Sequence, residues 1–324
     1  RAGGADNFAR VGFGRGPSFV AGWSEWFASS VAGSMYAVTF SLYTLRFFSR
    51  ELSDNPTAVR LVAVGVAAFF IYINYRGASE TGKIGAFMTL GQTLFLVFIG
   101  IVGVFVAARE PARVNNLQPF LPHGWGRLLV TMGFTYVAFE GYEVIAQAGD
   151  ETIDPRRNVP KAMLYSVCIV TITYVIVAFA TMVAVHPEGE FFRAQQAAAG
   201  DPNLTVGQWI GREGAKGFGE AVAVLMPYGR VLLTLAVIFA STSALNATIY
   251  SATRAAYALG RDRMLPASFG KISRKRKTPY VALVATAVIV ILVATALPTK
   301  DVASSASMMF LFLFLMVNLC VIRI

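Results

Sequence analysis

Eight runs of about twenty mostly apolar residues each follow one another along the chain, and lipid is the solvent that such runs fit. They fall at about 20–47, 57–75, 84–108, 127–149, 161–185, 226–259, 280–298 and 303–322. None alternates with the period of two that a barrel strand requires, so the expected class is an all-α polytopic membrane protein with eight spans. The run at 226–259 is too long for one upright crossing and predicts a helix that tilts or projects beyond the bilayer. Composition agrees: 56% of residues are hydrophobic and 14% charged, against about 25% charged in a soluble domain.

The net charge of +10 raises the question of nucleic acid, and the placement of the charge answers it. Basic residues crowd the short loops, above all "RKRK" at 274–277, which is how orientation signals are distributed and not a nucleic-acid footprint. Lys and Arg favour the side holding Arg10, Arg15, Arg76, Lys83, Arg156, Arg157, Lys161 and the cluster from Arg261 to Lys277. That side is expected to be cytoplasmic, with both ends of the chain on it, in a plasma (inner) membrane. The chain has neither an initiator Met nor a signal peptide and stops directly after an apolar run, which reads as a piece of a longer protein. Cys168 and Cys320 lie within apolar runs and are expected as small core residues. His123 and His186 fall in loops. Pro155 and Pro160 are expected as helix punctuation, and loop 186–225 as a cap or external gate containing short helices.

The stretch "LVTMGFTYVAFEGYEVIAQAGDE" sets two acids, Glu140 and Glu143, near the middle of a span. Each costs roughly 2.5–3.5 kcal/mol there on insertion scales. Gly133, Gly141 and Gly149 recur, and Gly141 stands between the acids. Two readings fit. One is a helix broken around 137–141, whose freed backbone groups bind substrate, as in transporters. The other is a continuous helix with protonated or hydrogen-bonded acids. In the run 226–259, Thr242, Asn246, Tyr250 and Thr253 share a helix face. Ser241, Thr242 and Ser243 offer oxygens to a hard cation, or serve as ordinary glue between helices. Arg254 needs a carboxylate or carbonyl partner unless it snorkels.

Longer stretches add a resemblance. "GFTYVAFEGYEVIAQAGDETIDPRRNVPKAM" resembles the sixth helix and following loop of the amino acid–polyamine–organocation transporter family. "SALNATIYSATRAAYALGRDRMLPASFGKISRKRKTP" is similar to its eighth helix and next loop. "AGGADNFARVGFGRGPSFVAGWSEWF" resembles the entry to the third, and "FLMVNLCVIRI" the end of the tenth. The resemblance implies the leucine-transporter fold of two inverted five-helix repeats. Residues 1–324 would be one partial transmembrane domain, without the first two and last two helices. Residues 1–126 would be the rest of the first repeat (helices three to five), and 127–324 the second (helices six to ten).

By the same resemblance, Val137, Ala138, Phe139, Glu140, Gly141 and Tyr142 would bind the substrate, an amino acid or related amine. Glu25 and Glu143 would face a cytoplasmic gate, and Arg254 is expected to meet Glu143 there. Glu140 falls where some members carry an aliphatic residue, so its role does not transfer. Thr242 and Ser243 match a hydroxyl pair that holds sodium in sodium-coupled relatives, a possible metal site. Gln92 stands where many proton-coupled or sodium-independent relatives place a lysine, and an amide cannot cycle a proton as a lysine does. No cofactor is implied beyond a coupling ion, sodium or proton. The expected partners are the small-molecule substrate and the bilayer, not nucleic acid.

The function expected is a secondary active carrier, a permease working by alternating access. The alternative is a non-transporting sensor or scaffold that keeps the fold. An enzyme lacks a nucleophile–base set or paired metal ligands here, and a channel lacks a continuous polar stripe.

Overall fold

A helix satisfies its own backbone hydrogen bonds, which is the condition lipid imposes on a spanning segment. In the computed structural model, which describes residues 4–121, 123–135, 141–296 and 299–323, every regular element among the described residues is helical. A short helix α1 (Ala5–Phe13) precedes α2 (Arg15–Phe48), α3 (Arg50–Asp54), α4 (Pro56–Arg76) and α5 (Ala78–Arg109). Then come α6 (Gly124–Thr135), α7 (Glu143–Gln147) and α8 (Pro155–Val183). Three short helices follow, α9 (Glu190–Ala199), α10 (Val206–Glu213) and α11 (Ala215–Leu225), before α12 (Gly229–Arg261), α13 (Tyr280–Ala296) and α14 (Thr299–Arg323).

Five of these, among the described residues, are long and apolar enough to cross a membrane: α4, α5, α8, α12 and the Ser305–Arg323 part of α14. Helix α13 is apolar but only 17 residues long. Helix α2 has 34 residues but is diluted by Ser, Gly and Arg, and the run 127–149 takes in most of α6 and all of α7. Large apolar side chains point outward from the spans, including Leu61 (69% exposed) and Phe87 (68%). Water would penalise such a surface and lipid does not. Helix α12 is a single element of 33 residues, about 50 Å long against a hydrocarbon core of about 30 Å.

Local chemistry sets the helix ends. The Asn55 side chain accepts from the N–H groups of Thr57 (2.9 Å) and Ala58 (3.4 Å). Pro56 opens α4, and Gly77 closes it at φ +121°. Pro155 opens α8, but Pro160 is not a boundary: it lies inside the helix. As the sixth residue of α8 it lies past the first turn and leaves the Arg156 carbonyl without its usual i→i−4 donor, which the helix accommodates without ending. At the far end of α8, Asn116 donates to the carbonyls of Met182 (2.8 Å) and Val185 (2.9 Å), and Arg113 to that of Ala184 (2.6 Å). These donors satisfy carbonyls that a helix C-terminus leaves open. The two cysteines differ: Cys320 is buried, whereas Cys168 is exposed, beside Tyr165, Ile169 and Ile172 on an apolar outward face of α8.

The chain divides into two compact units, and the divide passes through α5, α8 and α12. The first comprises Arg1–Thr89, Val137–Val167 and Ile238–Ile324. Its axis is α2, whose Ala21, Ala28, Ala32 and Ala37 are buried, and whose small residues let α1, α4, α13 and α14 approach. The second comprises Leu90–Tyr136 and Cys168–Val237. Its core joins Ile99 of α5 and Ala180 of α8 to Phe192, Trp209 and Val222 of the short helices. A Cβ on Gly103 would strike Ala180 of α8. That closeness is a small-residue helix contact of the kind membranes favour. Loop 186–225 thus carries α9, α10 and α11, with a reciprocal Thr205–Gln208 cap opening α10.

Candidate functional site

Val137, Ala138, Phe139 and Glu140 lie outside the described residues. On their C-terminal side, Gly141 takes φ +115°, a conformation that glycine reaches without strain and other residues rarely adopt. Gly141 and Tyr142 form a turn: the N–H of Val144 donates to the Gly141 carbonyl and that of Ile145 to the Tyr142 carbonyl, both at 3.2 Å. Helix α7 lasts five residues and tightens into a 3-10 turn at Ala148–Glu151. The backbone is therefore not α-helical at Gly141, whereas Gly133 lies within α6 and Gly149 within the 3-10 turn. The Tyr142 ring stacks on Phe314 of α14, centroids 5.9 Å apart.

Glu25 is 1% exposed. Its carboxylate accepts from the Ala5 N–H at 3.3 Å and from the amide of Gln147, the last residue of α7. A carboxylate shut away from water survives through such donors. Arg254 is also buried, and its guanidinium lies 3.7 Å over the Tyr250 ring, a cation–π contact on its own helix. The side chain of Glu143 is outside the described set, so the expected Glu143–Arg254 pair is too.

Thr242 and Ser243 are both buried. Thr242 donates its hydroxyl hydrogen to Ile238 (2.7 Å) and lies within reach of Phe239 (3.1 Å), both carbonyls of its own helix. A hydroxyl that has given its hydrogen away offers only lone pairs, the form a cation prefers. Ser243 shares a 2.7 Å hydrogen bond with Thr89. Thr242 also borders an apolar groove of about 490 Å3 lined by Phe40, Val62, Val66, Phe69 and Met88. Gln92 belongs to the second unit and is half-buried there. Asn246, on the face shared with Thr242, is glue: it accepts from Asn74 (3.1 Å) and donates to the Thr81 carbonyl (3.0 Å).

A family model described as amino acid permease matches residues 1–323. The chain belongs to that family. Relatives of this chain include the branched-chain amino acid permease BcaP of Bacillus subtilis, 27% identical over 94% of this chain and 63% of that protein. The inner membrane transport protein YbaT of Escherichia coli is 25% identical over 99% of this chain and 69% of its own length. The methylthioribose transporter of Bacillus subtilis is 23% identical over 80% and 50%. The chain thus spans 63% of the first of these and half of the last. Membership and the apolar helices together make it part of an integral, multi-pass membrane protein, in a family of permeases and not of enzymes.

Two buried polar residues escaped the sequence reading. Gln147, 1% exposed, is a neutral amide that the two neighbouring acids overshadow. Asp6, 2% exposed, sits in a short helix that carries no apolar run. The signal for both was available in principle: each is a polar residue flanked by small ones, Ala146 and Ala148 or Ala5, which permit close packing.

Proposed function

We propose that this chain is the larger part of a secondary carrier that moves an amino acid or related amine by alternating access. The observation that carries the reading is the non-helical backbone at Gly141, φ +115°, in an apolar stretch of an amino acid permease family member. Irregular backbone at membrane depth is tolerated where it is buried in protein or lines a watery cavity, and carriers use it to grip substrate. Val137 to Tyr142 form the substrate site in this reading, Glu25, Glu143 and Arg254 the inner gate, and Thr242, Ser243 and Gln92 the coupling region. The frame is the leucine-transporter fold, with eight spans in this chain and its basic loops facing the cytoplasm.

Relatives named for branched-chain amino acids and for methylthioribose keep the substrate at the level of a class. The test is uptake of radiolabelled amino acids and amines by proteoliposomes of the full-length protein, with branched-chain, cationic and other neutral amino acids as competitors. Saturable uptake supports a carrier, and its absence across the panel turns the reading to a sensor or scaffold. Glu140→Gln in the same assay addresses specificity. If Glu140 meets an amine-bearing side chain, the variant loses preference for cationic over neutral competitors, and an unchanged order leaves Glu140 a structural role.

A further inference from the structure

Asp6 is a buried acid that the proposed transport cycle does not use. It lies in α1, a nine-residue helix preceding the first apolar run, and its buried carboxylate meets no side-chain donor among the described residues, only the backbone N–H groups of Asp6 and Asn7 in its own turn. Its seat is built from α2 at helical spacing. The Ser18 hydroxyl donates to the Asp6 carbonyl at 2.9 Å. Gly22 leaves the space in which a Cβ would come within 3.1 Å of the Asp6 Cβ and 2.7 Å of Leu259. One turn further on, Glu25 accepts the Ala5 N–H and the Gln147 amide. The acid is thus enclosed between α2 and the end of α12, and its neighbour Ala5 fastens Glu25 and, through it, α7.

The charges around this seat come from each packed element. Helix α12 brings Arg261 and Asp262, and Asp262 is ion-paired with Arg10 of α1 itself. Helix α2 brings Glu25. Helix α14 brings Arg323, which lies 5.0 Å over the Phe13 ring, and the buried thiol of Cys320, against which Gly12 packs.

We propose that Asp6 is a proton-binding site: α1 rests in its seat with the acid neutral, and loss of the proton to water loosens α1 and the Glu25–Gln147 contact that it supports. An unpaired ionised carboxylate is costly in such a place, and a protonated one is far cheaper. Burial raises the Asp6 carboxyl from 3.8 to about 6; Asp262 adds to the rise, while Arg261 and nearby backbone N–H groups oppose it. A raised value in the seated state means that protonation favours seating. The advantage is complete below 3.8 and is lost as pH rises through about 6.

Cys320 is a built-in reporter, since it is covered by Gly12 when α1 is seated. Alkylation of Cys320, left as the one cysteine of the full-length protein, is followed from pH 5 to 8 in proteoliposomes, with and without Asp6→Asn. Dividing the rate with Asp6 intact by the rate of the Asp6→Asn variant cancels the thiol's own ionisation. That ratio is expected to rise about tenfold from pH 5 and to level off above about 6, the upper part of the change that the gap from 3.8 to about 6 allows. A ratio flat with pH, or faster labelling of the asparagine variant throughout, overturns the proposal. Infrared difference spectra give a second readout that needs no transport. A protonated-carboxyl band titrating near pH 6 and absent from Asp6→Asn is expected, and its absence from the unaltered protein overturns the site.

Discussion

Gln147 shows how much one neutral amide can hold. Its N–H donates to a carboxylate that is otherwise closed off from water. Hydrogen bonds to charged groups are worth about 1.5–3 kcal/mol net, and leaving the partner unsatisfied costs at least as much. Gln147→Leu is therefore expected to destabilise the protein by about 2 kcal/mol in detergent unfolding, and Gln147→Glu by more above neutral pH, where two carboxylates would face each other. Wild-type stability in both variants would show that Glu25 finds other donors. Neither the pair nor the burial of Asp6 was read from the sequence, where small flanking residues permit close packing without naming a partner. The contact joins positions 122 apart, and nothing in a local pattern reports which distant side chain closes over a residue. Glu25, by contrast, was named through the family resemblance, as an acid facing a cytoplasmic gate, and the structure buries it.

The elements themselves were far more legible. The run at 57–75 corresponds to α4 almost residue for residue because Asn55, Pro56 and Gly77 punctuate it. The long run at 226–259 is one helix, Gly229–Arg261. Boundaries blurred where punctuation was ambiguous, as at Pro160, and α1 was invisible because nine amphipathic residues carry no apolar run. Of the break expected around 137–141, the described part is Gly141, whose φ of +115° admits glycine best. Gly141→Ala should cost about 1 kcal/mol or more through backbone strain and lower the maximal uptake rate while the protein still reaches the membrane. Undiminished uptake would mean that this backbone angle has no part in transport.

For the molecule as a whole, the open question of chemistry is what drives it. Thr242 spends its hydrogen on its own helix and Ser243 shares one with Thr89, so lone pairs remain for a cation. We expect uptake into proteoliposomes at fixed pH to fall severalfold when choline replaces sodium. Full activity in choline would move the driving force to the proton, and with it to the carboxylates.

Helix α12 carries Thr242 near its middle, and Asp262, the ion-pair partner of Arg10, follows its last turn. The twenty residues between them make a lever arm of about 30 Å. A tilt of about 5° around Thr242 would swing the far end through about 2.6 Å by that geometry, enough to part a direct ion pair. By that geometry a tilt small at Thr242 would decide whether the Arg10–Asp262 pair at the far end is made or broken.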